Sequence, residues 1–428
     1  MDLYFNTVEL PQILLMTIRI PVLFKVPALV LLFLNSQVAF SNQSLLSLTP
    51  ADSTSESEEA IKITYGSKGF ELITADGNYK LQLQSRLQFR YSYPFDTDPV
   101  TFSDFQIEET QTFKISRARL KVGGNVFEQW IKFYWEYDLA GGNLLDFRLM
   151  IEKFKFLNLK VGQWKTYYNR ERIISSGKQQ TVERSILTRP FTIDRQQGIS
   201  FYGRIKANSI LDFNYWFSVL TGTGRGSRSN DDNHLMFVSR FQWNCFGREL
   251  GFTSSDTEYH EEPAGLIAIA GVTNRSPYTR FSTSGGGQLE GFEDGEAGQY
   301  RINQFLIETA FMFKGLSWQQ EFHWKEINDK INNELTTMLG NYIQIGYFFY
   351  YIWQAIPKPL EAAFRYAIYN PHTALTNNSR HEYSFSINWF FKEHLNKLTA
   401  EISYLDLQRT LNEIVDGFRF RLQWDVSI

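Results

Sequence analysis

From residue 79 onward, polar and apolar residues alternate along most of the chain. This is the two-residue period at which side chains change faces in a β-strand. In the stretch 80–92 every second residue is polar, and all but one of the residues between them are apolar. The pattern predicts a protein built from antiparallel strands, and it returns most clearly at 131–139, 318–325, 382–389 and 418–426.

A soluble antiparallel sheet also alternates, so the lengths of the strands and of their connections decide the class of protein. The predicted strands have about 9–13 residues, enough to cross a bilayer at a tilt, whereas soluble strands average about 5–6. Aromatic residues recur near the ends of the apolar faces, as at the two membrane interfaces of a barrel. Short and long connections alternate, which also indicates a transmembrane β-barrel. The long connections are 94–109, 166–196, 220–233 and 276–300.

About 17 segments have the pattern of a strand, whereas a single-chain bacterial barrel has an even number. If 249–254 crossed the membrane, the Gly-rich connection 276–300 would fall on the periplasmic side, where connections are short. We therefore assign 250–263 to a periplasmic connection and predict an all-β fold, a 16-stranded antiparallel transmembrane β-barrel with a long constriction loop. The predicted strands are 79–93, 111–123, 130–139, 144–154, 157–165, 197–205, 209–219, 234–243, 264–274, 301–313, 315–326, 341–351, 358–369, 380–390, 395–405 and 417–428. Five large side chains are predicted to face the lipid: Leu87, Phe89, Trp135, Phe420 and Trp424.

Composition agrees with a membrane barrel. Phe, Trp and Tyr make up 16% of the residues, although the mean hydropathy is only −0.30. Aromatic residues that face lipid and polar residues that face water explain both values. The net charge of −3 argues against a protein that binds nucleic acid.

The sequence offers little for catalysis or for metal binding. The single cysteine, Cys245, can form neither an intramolecular disulfide nor a CxxC metal site. The sequence contains no P-loop and no cluster of zinc ligands. The six histidines are scattered, without a serine and an acid at a recognisable spacing. We therefore expect no enzyme, no metal and no cofactor.

The N-terminal region has the pattern of a secretory signal peptide. Arg19 and Lys25 precede an apolar run at 26–34, and small residues stand at 39 and 41, as before a cleavage site. The apolar run is shorter than the roughly 20 residues that a transmembrane helix needs. We predict export through a cleaved signal peptide to the outer membrane of a Gram-negative type of cell. The predicted regions are the signal peptide at 1–41 (with Met16 as an alternative start), a flexible periplasmic segment at 42–69 and the barrel at 70–428.

A row of cations marks the second predicted strand. Arg117, Arg119 and Lys121 share one face, about 6.5–7 Å apart, because each residue rises about 3.3–3.4 Å. Arg86 and Arg90 lie on the polar face of the neighbouring first strand. Guanidinium groups suit phosphate because their planar donors bind it bidentately. We predict a basic wall that contacts permeating anions, to which Arg204, Arg419 and Arg421 also contribute.

Charge pairing is the alternative for these cations. Barrel lumens are polar in any case, and charges in them often pair only with one another. Arg419 and Arg421 in particular are candidates for such pairs. The acidic residues that face inward in the predicted register are Glu136, Asp138, Glu152, Asp212, Glu321, Glu361, Glu401 and Asp425.

The longest predicted loop, 166–196, carries six basic and three acidic residues, a net charge of +3. A loop of this length is usually functional. Folded into the lumen, it would narrow the pore and add positive potential there. The alternative is an extracellular lid that stays outside the pore. Its predicted anion-binding residues are Arg170, Arg172, Arg184 and Arg195, together with Lys165 just before the loop.

Several segments resemble the phosphate-selective porins of the O and P type, most closely over residues 70–205. They are FKISRARLKV at 113–122, WEYDLA at 135–140, GQWK at 162–165, RERIISS at 170–176, ERS at 183–185 and RQQG at 195–198. In that family the last four segments end the fifth strand and run through a constricting third loop. The resemblance implies a trimer of 16-stranded barrels with a basic lumen that passes phosphate or polyphosphate. Tyr167 and Gln196 stand where the family usually has proline and aspartate.

The predicted function is an outer-membrane porin whose water-filled channel passes small anions, including phosphate or polyphosphate. The predicted partners are outer-membrane lipid, the permeant anions, the barrel-assembly machinery and, through the resemblance, further copies in a homotrimer. The alternative is a structural or adhesive barrel that is plugged by its own loops and does not conduct.

Overall fold

The computed structural model describes residues 61–428, apart from 100, 102–103, 105–109, 228, 283–285 and 411–412. The predicted signal peptide at 1–41 lies outside the described residues, as does the part of the predicted flexible segment before residue 61. No helix in the part of the chain that the structure describes is long and apolar enough to cross a membrane.

Sixteen long antiparallel strands, β3 to β18, form a closed barrel, in which each strand pairs with the next one along the chain. The barrel closes where β18 pairs with β3, from Phe420 opposite Tyr93 to Ser427 opposite Arg86. The predicted 16-stranded barrel is therefore confirmed. Its strands are β3 (Lys80–Tyr93), β4 (Thr112–Val126), β5 (Glu128–Asp138), β6 (Asn143–Ile151), β7 (Asn158–Lys165), β8 (Arg195–Lys206), β9 (Asp212–Leu220), β10 (Met236–Asn244), β11 (Ala264–Ser276), β12 (Tyr300–Phe313), β13 (Leu316–Asp329), β14 (Glu334–Tyr347), β15 (Leu360–Asn370), β16 (Arg380–Lys392), β17 (Asn396–Thr410) and β18 (Glu413–Ser427).

Two short strands before the barrel, β1 (Lys62–Gly66) and β2 (Gly69–Ile73), were not predicted. They pair with each other, and β2 also pairs with residues 80–83 of β3. Because β18 meets β3 only from Arg86 onward, β2 covers the backbone edge of β3 that β18 leaves open. The last residues of the predicted flexible segment 42–69 thus belong to a sheet.

The strand β14 begins at Glu334, well before the predicted start at 341. Only residues 330–333 join it to β13, and Asp329 accepts hydrogen bonds there from the backbone amides of Ile331 and Asn332. Such side-chain bonds stabilise tight turns, so no long loop is needed. The residues predicted to form a periplasmic connection, 250–263, contain no strand in the structure, which confirms that assignment.

The alternation of the sequence places one set of side chains in the lumen and the other on the outside. Arg86 and Arg90 are 4% and 3% exposed, whereas Trp135 and Trp424 on the opposite face are 46% and 47% exposed. Phe89 packs against Trp424, with ring centroids 6.2 Å apart, on the outer face. All five side chains predicted to face outward therefore do so.

The largest cluster of buried apolar side chains lies inside the barrel. Trp164, Tyr168 and Phe191 belong to it together with Ile302 and Tyr342, which point inward from β12 and β14. The first three come from the end of β7 and from residues 166–194, which we call the constriction loop. This loop contains two single-turn helices, α1 (Arg170–Ile173) and α2 (Thr188–Phe191). The predicted entry of the loop into the lumen is thus confirmed, and the extracellular lid is wrong.

A pair of glycines directs the constriction loop into the lumen. Gly162 of β7 lies opposite Gly198 of β8, and both have positive φ values, 124° and 156°. In the parts of the two strands that lie within the barrel wall, buried and exposed residues alternate. Val161 and Ile199, for example, are 44% and 46% exposed. Beyond the pair both faces are buried, so the hairpin leaves the barrel wall there. A Cβ at either glycine would overlap a neighbouring carbonyl oxygen.

We expect Gly162→Ala to destabilise the barrel by about 1–3 kcal/mol, because the added Cβ overlaps the backbone of β6. The measurement is the thermal unfolding of the purified protein in detergent, followed by circular dichroism. Gly271→Ala is the control, since the nearest atoms to a Cβ there are 3.8 Å away. A melting temperature of Gly162→Ala equal to that of the wild type would show that the bend does not require glycine.

Candidate functional site

Carboxylates of the barrel wall hold the constriction loop in place. A loop in the lumen buries backbone N–H groups, each of which needs a hydrogen-bond acceptor. Four inward-facing glutamates, on β12, β13, β16 and β17, supply acceptors. Glu308 accepts from the amide of Arg170 (2.9 Å), Glu321 from that of Glu171 (2.7 Å), Glu382 from that of Ile186 (2.8 Å) and Glu401 from that of Val182 (2.8 Å).

Donors on the same side of the barrel satisfy the carbonyl groups of the loop. Lys325 donates to the Pro190 carbonyl at 2.7 Å, and Asn388 donates to the Gln180 carbonyl at 2.8 Å. Arg365 donates to the carbonyl of Glu183 at 2.9 Å. The loop therefore lies against the wall formed by β12 to β17, and the space beside β3 to β8 is left to the channel.

A cavity of about 520 Å³ lies between the constriction loop and the opposite wall, and we call it the basic cavity. Among the residues that the structure describes, ten basic and four acidic side chains line it, a formal excess of six positive charges. Strands β3, β4, β7 and β8, the constriction loop and the outer connections all contribute. The basic residues are Arg90, Lys114, Arg117, Arg119, Lys165, Arg172, Arg184, Arg189, Arg195 and Arg225; the acidic ones are Asp96, Asp98, Glu183 and Asp194.

Seven of the thirteen predicted anion-binding residues line the basic cavity: Arg90, Arg117, Arg119, Lys165, Arg172, Arg184 and Arg195. Arg172 and Arg184 belong to the constriction loop itself, and the other five reach the cavity by two different routes. The residues of β3 and β4 point inward by strand alternation. Lys165 and Arg195 reach it because the hairpin bends at the glycine pair.

Several of these cations form ion pairs with carboxylates, the alternative to anion binding that the sequence left open. Arg119 lies 2.9 Å from Glu136, and Arg195 lies 2.5 Å from Asp146. Arg172 pairs with Asp194 inside the constriction loop. Pairing alone does not remove the positive excess: with Glu136 and Asp146 added to the four carboxylates of the described lining, ten cations still face six carboxylates.

The two loop carboxylates that line the cavity, Glu183 and Asp194, stay ionised at neutral pH. Burial would raise the pKa of Glu183, but Arg117 and Arg90 outweigh it and hold this pKa well below its usual value. Burial would likewise raise the pKa of Asp194, but Arg172 and Arg195 outweigh it, so this pKa is also lowered. Burial lowers the pKa of Arg184 to about 9, helped by Arg172 and Arg117, so this guanidinium remains charged at neutral pH. Glu183, Asp194 and Arg184 therefore carry the charges that the count for the cavity lining assigns to them.

Arg86, Lys121 and Arg170 do not line the basic cavity. Arg86 donates to Ser175 of the loop at 2.6 Å, and Lys121 contacts Gln84 at 3.3 Å, on the periplasmic side of the cavity. Arg170 donates to the carbonyls of Gly251 (2.6 Å) and Thr253 (2.9 Å). It thus ties the loop to the periplasmic connection after β10, away from the basic cavity.

Arg204, Arg419 and Arg421 are also absent from the cavity lining. Arg204 pairs with Asp212 at 2.6 Å near the periplasmic end of β8. Arg421 pairs with Glu401 at 2.5 Å and Arg419 with Asp98 at 2.9 Å. These three arginines therefore form ion pairs outside the lining of the basic cavity.

Lys114, Arg189 and Arg225 line the cavity but were not predicted to bind anions. Lys114 was not predicted because strict alternation places its side chain on the other face of the strand from that of Arg117. A β-bulge intervenes: Gln88 pairs with Arg117 and Phe89 pairs with Ile115, so Ser116 is extra. One extra residue reverses the facing of everything beyond it. Hydroxyl residues of the lining were not predicted either; they are Thr97, Ser176, Ser185, Thr188 and Ser282.

A closed barrel of 16 antiparallel strands, apolar outside, polar inside and narrowed by an inserted loop, defines the protein as a β-barrel porin. The sequence profile of the family "Phosphate-selective porin O and P" matches residues 85–425. The chain therefore belongs to the phosphate-selective porin O and P family. It forms a channel in the outer membrane, and its family is one of porins rather than of enzymes.

Solved porin structures share this fold at low sequence identity. OmpT, an outer-membrane protein of Vibrio cholerae, aligns over 82% of this chain and 98% of its own, with a TM-score of 0.53 and 9% identity. The anion-selective porin from Comamonas acidovorans aligns over 81% and 99%, with a TM-score of 0.52 and 10% identity. Salmonella typhi OmpF, in a complex with daunomycin, aligns over 82% of this chain and 98% of its own, with a TM-score of 0.51 and 10% identity. No curated protein matches the chain.

We expect deletion of residues 175–180 to raise single-channel conductance, because these residues take up lumenal space beside the basic cavity. Gln180, for example, donates at 2.7 Å to Glu361 of β15, in the wall against which the loop lies. The measurement is single-channel recording in planar bilayers at fixed salt. Deletion of 374–377, which are exposed in the connection after β15, is the control and should leave conductance unchanged. Equal conductance of the wild type and the 175–180 deletion would count against a narrowing role.

Proposed function

We propose that this porin passes anions in preference to cations, with phosphate or polyphosphate among its permeants. The observation that carries the proposal is the basic cavity, whose lining has ten cations and four carboxylates. Fixed charge of one sign in a narrow space with low-dielectric walls raises the local concentration of counter-ions. An anion between the constriction loop and β4 therefore has positive charge on both sides.

The donors of the basic cavity match the chemistry of phosphate. Arg117 and Arg119 lie on one strand, and Arg184 faces them from the loop. Guanidinium groups donate in a planar fork to two oxygens at once, which a chloride ion cannot exploit. Hydroxyl donors such as Ser185 and Thr188 supply neutral hydrogen bonds in the same cavity. Several phosphate groups of a short polyphosphate would find donors along this surface.

The comparisons support the proposal from another direction. The family is described as phosphate-selective, and a porin of the same fold from Comamonas acidovorans is described as anion-selective. On the family resemblance we further propose a homotrimer. We also propose export through a signal peptide at 1–41 and insertion among outer-membrane lipid by the barrel-assembly machinery, with the barrel at 70–428.

One observation favours the alternative of a plugged barrel. The periplasmic connection 245–263 contacts the underside of the constriction loop, where the amide of Ser254 donates to the Lys178 carbonyl at 3.0 Å. Loop and connection together fill much of the lumen on the β12 to β17 side. A plugged barrel would show no ion conductance in bilayers, whereas a porin conducts through the basic cavity.

We expect a wild-type reversal potential that favours anions in a potassium chloride gradient, and a shift toward cations in the double variant Arg117→Glu, Arg119→Glu. The two substitutions reverse two charges of the cavity lining. Selectivity should also weaken as salt rises, because the Debye length falls from about 10 Å at 0.1 M to about 3 Å at 1 M.

The matched control is Lys330→Glu with Lys358→Glu, which makes the same change of charge at exposed positions outside the cavity. It should leave the reversal potential near the wild-type value. A cation-selective wild type, or a double variant at Arg117 and Arg119 that behaves like the control, would refute the proposal.

A further inference from the structure

One carboxylate of the constriction loop crosses the basic cavity and binds the wall arginines. Glu183 accepts from Arg117 with both oxygens, at 2.8 and 2.9 Å, and from Arg90 at 2.5 Å. Arg90 and Arg117 belong to neighbouring strands, β3 and β4, and Glu183 comes from a segment on the other side of the cavity. The loop and the predicted anion-binding wall thus meet at this residue.

Other donors of the two arginines bind two neutral side chains, Gln88 and Gln423, and one carboxylate of the outer connection, Asp96. Arg117 donates its other terminal nitrogen to the Gln88 side chain at 2.9 Å. Arg90 donates to Gln423 at 2.7 Å and pairs with Asp96 at 3.2 Å. Glu183 therefore occupies the donors of Arg90 and Arg117 that face the constriction loop. Both oxygens of its carboxylate accept from the same terminal nitrogen of Arg117, a donor that a phosphate oxygen would also use.

The carboxylate is placed so that it can move without unfolding the loop. The backbone of Glu183 is fixed independently, because its carbonyl accepts from Thr181 at 2.8 Å and from Arg365 at 2.9 Å. The side chain is 15% exposed and borders the cavity. Rotation about the side-chain bonds would release the arginines while the loop stays in place.

We propose that the Glu183 carboxylate is a tethered competitor of the permeating anion. With no permeant in the cavity it occupies Arg90 and Arg117, and an entering phosphate displaces it from these donors. The competition weakens the binding of phosphate and so speeds its release, which a conducting pore requires. The inference rests on the proposed anion selectivity and adds a residue that sets the affinity of the site.

The test is Glu183→Gln, compared with the wild type by the phosphate concentration that halves chloride conductance in bilayers. We expect the half-blocking concentration to fall on the order of tenfold, since a hydrogen bond to a charged group that competes with phosphate is lost. In an Arg117→Gln background the same substitution should have a smaller effect, because one of the contested donors is gone.

Asp98→Asn is the matched comparison. It removes one negative charge from the same cavity lining, but Asp98 pairs with Arg419 and Arg421, at 2.9 and 3.2 Å, and not with Arg90 or Arg117. General electrostatics predicts equal effects of the two substitutions on phosphate block. The tethered competitor predicts a larger effect of Glu183→Gln.

Equal phosphate block in Glu183→Gln and Asp98→Asn, in an anion-selective wild-type channel, would overturn the inference and leave the proposed function standing. A cation-selective wild type would overturn the proposed function first. Barrel assembly of each variant is checked by the shift in gel mobility between heated and unheated samples. If Glu183→Gln does not assemble, Glu183→Ser removes the same charge with a smaller side chain, and the same comparison applies.

Discussion

The structure depends on how the backbone of a buried loop obtains its hydrogen-bond partners. A segment inside a barrel cannot leave N–H groups unpaired without a cost of about 1–3 kcal/mol for each. Here the carboxylates of Glu308, Glu321, Glu382 and Glu401 accept from four amides of the constriction loop. These bonds fix the loop against one side of the wall and decide where the open space lies.

The same bonds separate the charges of the lumen. Carboxylates on the β12 to β17 side are engaged with the constriction loop or with Arg365 and Arg421, so they do not face the open path. Cations on β3, β4, β7 and β8 share the remaining space with few acids. A protein with a net charge of −3 therefore presents a positive cavity, because position within the lumen, rather than composition, sets the local potential.

Much of the fold follows from local rules that a sequence reveals. Strand alternation has a period of two, and a barrel needs an even number of strands, so the number of strands and their outward faces were predictable. The start of β14 and the pair β1 and β2 were missed, because short turns and edge pairing depend on neighbours that alternation does not describe. Within the site, Lys114 was missed because one bulge at Ser116 reverses its facing.

The sequence by itself determined the class of protein, the barrel, the inserted loop and the basic residues of β4, because each is encoded in neighbouring positions. Only the tertiary structure decided which cations remain available to an anion. Arg117 meets Glu183 and Arg421 meets Glu401, and such pairs join different elements whose distance depends on the closed barrel. The contacts of Arg170 were unpredictable for the same reason, since its partners Gly251 and Thr253 lie in a distant connection. Charge pairing acts over a few ångströms in space, and the chain order carries no direct record of those distances.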